Sequence, residues 1–222
     1  MAATCQDDVV DERPIRRAAS IVCIRAGGAG GPEVLVVERS AGSRFLPGYI
    51  AFPGGAVDTE DDAHAGRWFG TAEEGPRAAA LRELAEEVGL AVTAEGAVQA
   101  RGLGPIDAAP PAADDLRELC HWIAPPEVPV RCDARYFTVA VQPGAEPQPD
   151  GHEVADAWWV SPRALLEQWE TGARKLYWPT WLTVTELAAC VRIDEMLRLH
   201  FDSRDPTEHE EATMPRHVME QE

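Results

Sequence analysis

The sequence predicts an α/β protein built on a mixed β-sheet. Runs of β-branched residues alternate along the chain with segments of helical pattern, as expected when helices connect and cover the strands of a sheet. The strongest strand signals are Ala18–Ala26 and Ala134–Val141, and the strongest helix signal precedes Gly89. With 222 residues, of which 45% are hydrophobic, the chain is long enough to bury the core of one large domain.

Glycine and proline mark the predicted element boundaries. The glycine-rich turn GGAGGP joins the first two strands into a hairpin, and Gly89 stands where a left-handed residue ends a helix. Strands are predicted at Ala18–Ala26, Glu33–Arg39, Tyr49–Gly55, Ala91–Arg101, Trp122–Ile123, Ala134–Val141 and Ala155–Val160. Helices are predicted at Pro76–Val88, Ala112–Cys120, Pro162–Glu170 and Thr180–Leu199, and an irregular acidic segment at Ala56–Glu73.

Composition excludes several classes of protein. The formal charge of −18 disfavours a nucleic-acid partner, which requires a basic face. No apolar run is long enough to cross a membrane, and the five scattered cysteines suit a reducing compartment, so we expect a cytoplasmic protein. We expect a flexible N-terminus over residues 1–14, one domain over residues 15–200 and an acidic disordered tail over residues 201–222. The oligomeric state is not fixed by the sequence, and a homodimer stays open.

Three glutamates crowd one face of the helix before Gly89. At 100° per residue, Glu83, Glu86 and Glu87 lie together, opposite an apolar stripe that includes Leu81 and Leu84. Like charges at this spacing repel, so either water solvates the face or a cation binds there. Oxygen-rich sites of this kind suit Mg²⁺ or Mn²⁺.

The order of strand, FPGG turn, loop and R-E-L-A-E-E-V-G-L helix resembles the Nudix box, G-x5-E-x7-R-E-U-x-E-E-x-G-U, where U is a bulky aliphatic residue. The second half matches throughout, and Glu74 stands at the required distance before Arg82. Gly55, however, lies nineteen residues before Glu74 instead of six, which implies a 13-residue insertion in the loop. The resemblance implies the Nudix fold, a mixed sheet between helices (α/β/α), and hydrolysis of a diphosphate linked to another group.

The resemblance also implies roles for individual residues. The metal ligands would be Glu83, Glu86, Glu87 and the carbonyl of Gly54, and Arg82 would orient Glu86. Glu74 would contribute from further out. A later acidic residue often joins such sites, and Glu153 is the candidate here, so the general base is either Glu83 or Glu153. The expected catalytic residues are therefore Glu83, Glu153 and Arg82.

The segment Arg39–Gly55 is similar to the signature of the coenzyme A diphosphatase branch of this family, although Val37 and Tyr49 replace its threonine and glutamine. This similarity implies coenzyme A or an acyl derivative as substrate, with Arg39 and Arg44 contacting its phosphates. ADP-ribose, NADH or another nucleotide diphosphate is the rival substrate. A binding or regulatory module without turnover is a second rival. Further candidates for phosphate or base contacts are Arg131, Arg135, Trp158, Trp159, Trp178 and Trp181, the tryptophans being expected mainly in packing.

Overall fold

The computed structural model describes residues 14–28, 31–94, 96–99, 110–124 and 131–204. Its strands are β1 (Arg16–Ala26), β2 (Pro32–Arg39), β3 (Tyr49–Ala51), β4 (Gly54–Ala56), β5 (Leu90–Thr93), β6 (Gly96–Gln99), β7 (Arg117–Ile123), β8 (Cys132–Ala140), β9 (Val154–Val160) and β10 (Lys175–Leu176). Its helices are α1 (Thr59–Trp68), α2 (Gly75–Val88), α3 (Pro162–Glu170), α4 (Trp178–Ala189) and α5 (Ile193–Arg198), with a 3-10 turn at Ala72–Glu74.

Eight of the strands form one mixed sheet around β1 and β2. The order β10-β3-β2-β1-β8-β7 describes its main path, while β4 also pairs with β1 and β9 with β2. β1 and β2 form the predicted antiparallel hairpin, with Ile24 opposite Val34. β8 runs parallel to β1 from Arg16 to Ile24, so the sheet is mixed as predicted. β5 and β6 form a separate antiparallel pair.

The sheet is covered on both faces, which gives the molecule two hydrophobic layers. Side chains alternate across a strand, so Ile21 of β1 joins one layer and Val22 the other. The first layer packs α2 against the sheet, and the second packs α3, α4 and α5 against the opposite face. The α/β class and the arrangement of a sheet between helices are therefore confirmed.

Helix α2 positions the acidic segment against the sheet. Pro76 lies in its first turn, where a missing N–H leaves no hydrogen bond unmade. Leu84 and Val88 are fully buried in the first layer, which fixes the rotation of the helix about its axis. Gly89 ends the helix with a φ of 66° and donates its N–H to the carbonyl of Ala85 at 3.1 Å. The helix and its C-cap are confirmed as predicted.

The segment Ala56–Glu73 was predicted to be irregular, but it contains the helix α1. Asp61 in the first turn of α1 accepts the N–H of Asp58 at 2.8 Å, an interaction that stabilises a helix N-terminus. Three acidic residues in that turn also interact favourably with the helix dipole. The insertion therefore brings a helix of its own, which contacts α2.

Three other boundaries differ from the predictions. The predicted helix at Ala112–Cys120 is wrong, because Arg117–Ile123 pairs with β8 as a strand. The predicted helix at Thr180–Leu199 is interrupted after Ala189, where Cys190 and Arg192 adopt extended backbone before α5. The strand predicted at Tyr49–Gly55 is divided into β3 and β4 by Phe52 and Pro53.

Residues 1–13 of the predicted flexible N-terminus and residues 205–222 of the predicted tail lie outside the described residues, as do residues 95, 100 and 101 of one predicted strand. The proposed domain boundaries and the homodimer stay predictions. Over the residues that the structure describes, helices of the length and hydrophobicity needed to cross a bilayer are absent.

Candidate active site

Two glutamates of α2, Glu83 and Glu87, lie against the start of β4. Glu87 Oε2 accepts a hydrogen bond from the N–H of Gly54 at 3.0 Å. The carboxylate of Glu83 lies so close to Gly55 that a Cβ at that position would overlap its oxygens. The Glu83 side chain is 12% exposed and the Glu86 side chain is 54% exposed, and Glu87 is buried like Glu83. A solvated acidic face, the alternative interpretation of this helix, does not describe Glu83 and Glu87.

Arg82 uses all five of its N–H groups, four for carboxylates and one for a backbone carbonyl. Its Nε and Nη2 atoms donate to the two oxygens of Asp61, each at 3.0 Å. Nη1 donates to Glu83 at 2.8 Å and to Glu86 at 3.0 Å, and Nη2 also donates to the carbonyl of Ala56 at 2.9 Å. Arg82 therefore orients Glu83 as well as Glu86, and no N–H remains to contact a substrate.

The carboxylates of Glu83 and Glu87 are buried, and the positive charge around them is too small to offset that burial. Burial raises the pKa of Glu87 to about 8, although the N–H of Gly54 and the charge of Arg39 act in the opposite direction. Burial also raises the pKa of Glu83, against the lowering effect of Arg82. The charge of Glu153 contributes to raising both pKa values. A bound cation would relieve this excess of negative charge.

Glu153 lies on the loop that precedes β9, and this loop contacts the end of α2, where the N–H of Asp150 donates to the carbonyl of Glu87 at 2.9 Å. The charge of Glu153 acts to raise the pKa values of Glu83 and Glu87, in agreement with this placement of the loop. Glu153 is exposed to solvent, and its backbone carbonyl accepts a hydrogen bond from the N–H of Ser40 at 2.9 Å. Among the described residues, the Glu153 carboxylate has no hydrogen-bond or ion-pair partner, so it is available to water or a cation.

A cavity of about 400 Å³ borders the same start of β4. Gly54 and Gly55 form part of its wall, which places it next to Glu83 and Glu87. Small residues of β1 and β8, such as Ala18 and Ala134, leave the space open. Aromatic side chains form a large part of the remaining wall, and these are Phe45, Tyr49, Phe52, Trp122, Tyr136, Tyr177 and Trp178. A cavity of this size accommodates one uncharged portion of a small ligand.

Arg39 and Arg44, the two predicted phosphate contacts, lie in different surroundings. Arg39 lines the cavity, and its Nε donates to the carbonyl of Phe45 at 2.9 Å, which leaves other N–H groups for a ligand. Its charge lowers the pKa of Glu87, so it also lies near the carboxylates. Arg44 is exposed and does not line the cavity. The structure therefore brings Arg39, but not Arg44, to the candidate site.

Comparison with known proteins identifies the family that shares this arrangement. The sequence profile of the NUDIX domain matches residues 14–178, which include α2, most of the cavity wall and the Glu153 loop. The chain belongs to the Nudix hydrolase family. A NUDIX hydrolase from Alicyclobacillus acidocaldarius is 31% identical, with a TM-score of 0.71, over 85% of this chain and 98% of that chain.

Two further relatives are more distant. A Caenorhabditis elegans protein assigned as nudix hydrolase 7 is 28% identical over 175 residues, which span 70% of this chain and only 56% of that relative's length. The NUDIX domain of Shewanella oneidensis NrtR, solved with ADP ribose, is 16% identical, with a TM-score of 0.51 over 81% of this chain and 90% of that chain. At that identity the likeness concerns the fold alone.

Nudix hydrolases generally use divalent metal ions, and the donor atoms here suit such an ion. Glu83, Glu86 and Glu87 each commit one oxygen to Arg82 or Gly54, and each keeps a second oxygen without a hydrogen-bond partner in the described part of the chain. In that same part, no group of three or more acidic, histidine or cysteine side chains is close enough together to hold a metal ion. An open site of this kind suits Mg²⁺, which takes one or two carboxylates and keeps several waters.

Asp61 is a site residue that the sequence interpretation missed, and it takes the place expected for Glu74. Glu74 instead forms an ion pair with Arg77 at 2.5 Å and does not contact Arg82. Asp61 lies six residues after Gly55, which is the spacing that the Nudix box requires for its first acid. Allowing aspartate at this position would have revealed that the extra residues follow the acid rather than precede it.

The remaining candidates lie mostly outside the site. Arg135 forms an ion pair with Glu118 at 3.3 Å, and Arg131 donates to the carbonyl of Ala124. Trp158 and Trp159 pack under the guanidinium groups of arginines, and Trp181 stacks on Trp178, so packing is their main role as expected. Of these four tryptophans, Trp178 lines the cavity.

Proposed function

We propose that this chain is a diphosphatase that requires a divalent cation and cleaves the diphosphate bond of coenzyme A or an acyl derivative. The products would be a phosphopantetheine and adenosine 3′,5′-bisphosphate. The observation that carries the proposal is the burial of Glu83 and Glu87 at the wall of an aromatic cavity, with Arg39 at its edge. Buried carboxylates that lack enough positive charge favour a cation, and a diphosphate supplies its counter-charge.

The protein residues would divide the work as follows. Glu83, Glu86 and Glu87 would hold Mg²⁺ or Mn²⁺, which when bound screens a diphosphate and lowers the pKa of coordinated water. Arg82 keeps two of these carboxylates in place without contacting substrate. Glu153 and Glu83 are the candidates to accept a proton from the attacking water. Arg39 would contact a phosphate oxygen, for which a guanidinium is well suited.

The choice of coenzyme A rests on the similarity of Arg39–Gly55 to the signature of that branch and on the chemistry of the cavity. Arg39 is the one charged side chain among the described residues that line it, and the other lining residues are uncharged, most of them aromatic, aliphatic or small. Such a wall suits an uncharged group, such as the acyl-pantetheine arm, better than the 3′-phosphate. We therefore place the apolar arm in the cavity and the phosphorylated ribose outside it.

Hydrolysis of ADP-ribose, NADH or another nucleotide diphosphate is the second candidate. It is favoured by Tyr49, which replaces the signature glutamine and lines the cavity, because an aromatic ring can also stack on a nicotinamide or adenine. A binding module without turnover is the third candidate, and the retained Arg82, Glu83 and Glu87 speak against it.

The test is a substrate panel with the full chain and Mg²⁺, followed by separation of products. Coenzyme A, a short acyl and a long acyl derivative, ADP-ribose and NADH should be compared at equal concentration. We expect the coenzyme A compounds to have the highest kcat/KM. A large preference for ADP-ribose or NADH would contradict the substrate, and inertness toward every diphosphate would contradict the enzyme.

Matched glutamate variants test the site itself. Glu87→Gln should lower kcat/KM by roughly 100-fold or more, because it removes a carboxylate close to the reacting groups. Glu170→Gln is the control, since Glu170 is an exposed residue at the end of α3. Equal activity of the two variants would contradict the assignment of the carboxylates.

A further inference from the structure

The loop that carries Glu153 is hydrogen-bonded to the C-terminal end of α2. The N–H of Gln148 donates to the carbonyl of Val88 at 2.8 Å, and the N–H of Asp150 donates to the carbonyl of Glu87 at 2.9 Å. The last carbonyls of a helix have no partner within the helix, and this loop supplies two of the missing donors. The backbone of the loop is therefore tied to the same residue, Glu87, whose side chain is part of the site.

The carboxylate of Asp150 organises the next turn of this loop. Its Oδ1 atom accepts three backbone hydrogen bonds, from His152 at 3.0 Å, Glu153 at 3.1 Å and Val154 at 3.0 Å. Hydrogen bonds to a charged acceptor are stronger than neutral ones. Burial acts to raise the pKa of Asp150, but these hydrogen bonds lower it further than burial raises it. The carboxylate is therefore held in its charged form.

Nothing else in the described structure sets the position of the Glu153 side chain. Among the described residues the Glu153 carboxylate has no hydrogen-bond or ion-pair partner, and Glu153 is exposed to solvent. The position of this side chain therefore depends on the backbone, which Asp150 holds from one side and the N–H of Ser40 from the other. Beyond Val154 the chain enters β9 and pairs with β2.

We propose that Asp150 is a positioning residue of the active site, which holds the Glu153 carboxylate toward Glu83 and Glu87. This role rests on the proposed function, because it requires that Glu153 take part in the reaction. Asp150 itself contacts the loop backbone and not the substrate. Its contribution is therefore indirect, and it should be visible in the chemical step rather than in substrate binding.

Three variants at this position separate positioning from charge. Asp150→Ala removes the acceptor, and we expect kcat to fall by roughly 10- to 100-fold, the range seen when a supporting contact of a catalytic group is lost, with KM little changed. Asp150→Asn keeps an oxygen for the three N–H groups and should retain most of the activity. Asp150→Glu keeps the charge but places the carboxylate too far along the chain, so it should resemble Asp150→Ala.

The double variant Asp150→Ala/Glu153→Gln tests whether the two residues act together. If Asp150 works through Glu153, the double variant should be no slower than Glu153→Gln alone. Multiplied losses in the double variant, or full activity in Asp150→Ala or Asp150→Glu, would overturn the role of Asp150. Full activity in Glu153→Gln would instead overturn the proposed role of Glu153, so the two failures are distinguishable.

Folding is monitored in the same series by the urea midpoint of unfolding. Should Asp150→Ala fail to fold, the comparison of Asp150→Asn with Asp150→Glu decides the matter. A loss of kcat confined to Asp150→Glu supports positioning, and equal kcat in both variants contradicts it.

Discussion

The guanidinium of Arg82 makes five hydrogen bonds to Asp61, Glu83, Glu86 and Ala56, and its side chain is 17% exposed. Burial lowers the pKa of Arg82, but the Asp61 hydrogen bond and the charges of Glu83 and Asp61 raise it by more, so it remains charged. A buried charge of this kind is stable only while its partners are present. Asp61 is therefore as important to the site as the residues of α2.

Replacing Asp61 should destabilise the fold and inactivate the site together. Asp61→Ala leaves the Arg82 charge without its two-oxygen partner, and breaking a buried ion pair costs about 3–5 kcal/mol. We expect a loss of that size in the free energy of unfolding, measured in urea, and a reduced kcat/KM at temperatures where the variant is folded. Glu60→Ala, on the exposed side of the same helix, should change stability by no more than about 0.5 kcal/mol.

Glu87→Gln should stabilise the metal-free protein at alkaline pH even though it removes activity. Burial raises the pKa of Glu87 from 4.5 to about 8, so the folded state favours the protonated carboxyl. The stability that this preference contributes is complete below pH 4.5 and is lost as the pH rises through about 8. Glutamine resembles the protonated form at every pH, so the variant keeps that stability.

Urea unfolding in EDTA measures this effect. The variant should be more stable than the wild type at about pH 9, and the two should converge below about pH 4.5. Added Mg²⁺ should then stabilise the wild type more than the variant, because binding to the folded state alone raises stability. Equal stability of the wild type and the variant at about pH 9 would contradict the raised pKa of Glu87.

Two glycines of the helical elements, Gly66 within α1 and Gly89 directly after α2, should respond in opposite ways to replacement by alanine. Gly89 ends α2 with a φ of 66°, a conformation that costs other residues about 1–2 kcal/mol. Gly66 lies within α1 and is exposed, and a Cβ added there would meet no atom within 4 Å. Gly89→Ala should therefore lower the free energy of unfolding by about 1–2 kcal/mol, whereas Gly66→Ala should raise it by about 0.5–1 kcal/mol. Thermal unfolding of both variants gives the sign in each case.

Elements with local signals were predictable from the sequence, and those set by distant contacts were not. The GGAGGP turn and Gly89 act on their immediate neighbours, so the hairpin and the end of α2 were predicted correctly. The segment Ala112–Cys120 has a helical pattern, but pairing with β8 places its second half in a strand. Side-chain packing against a neighbouring strand outweighs such weak local preferences.

In the candidate site too, residues with a local sequence signal were predicted, and a residue that acts through a distant contact was not. Glu83 and Glu87 were predicted from their spacing, and the structure places them together beside Gly54 and Gly55. Asp61 was missed because the family pattern has glutamate at that position, and because its contact with Arg82 joins residues 21 positions apart. Local spacing can indicate which residues share a helix face, but it does not show which distant partner neutralises them.

For the whole molecule, the two layers share one sheet, so they should unfold together. Leu84→Ala in the first layer and Leu182→Ala in the second each remove a fully buried side chain, and each should cost about 2–5 kcal/mol. The second layer contains five of the seven tryptophans, which are Trp122, Trp158, Trp169, Trp178 and Trp181.

Tryptophan fluorescence therefore reports mainly on that layer, while circular dichroism reports on both. We expect the two signals to give one coincident transition in each variant. If Leu84→Ala shifted the circular dichroism transition and left the fluorescence transition unchanged, the layers would be independent units.

Because all five N–H groups of Arg82 already donate within the protein, we expect the cation to bind before the diphosphate or together with it. The chain has a formal charge of −18, and the arginine nearest the carboxylates has no N–H to offer an anion. A free diphosphate would therefore meet repulsion from Glu83, Glu87 and Glu153, with Arg39 as its main attraction. We expect a non-hydrolysable diphosphate analogue to bind only when the cation is already present or arrives with it, which calorimetric titration with and without EDTA would show.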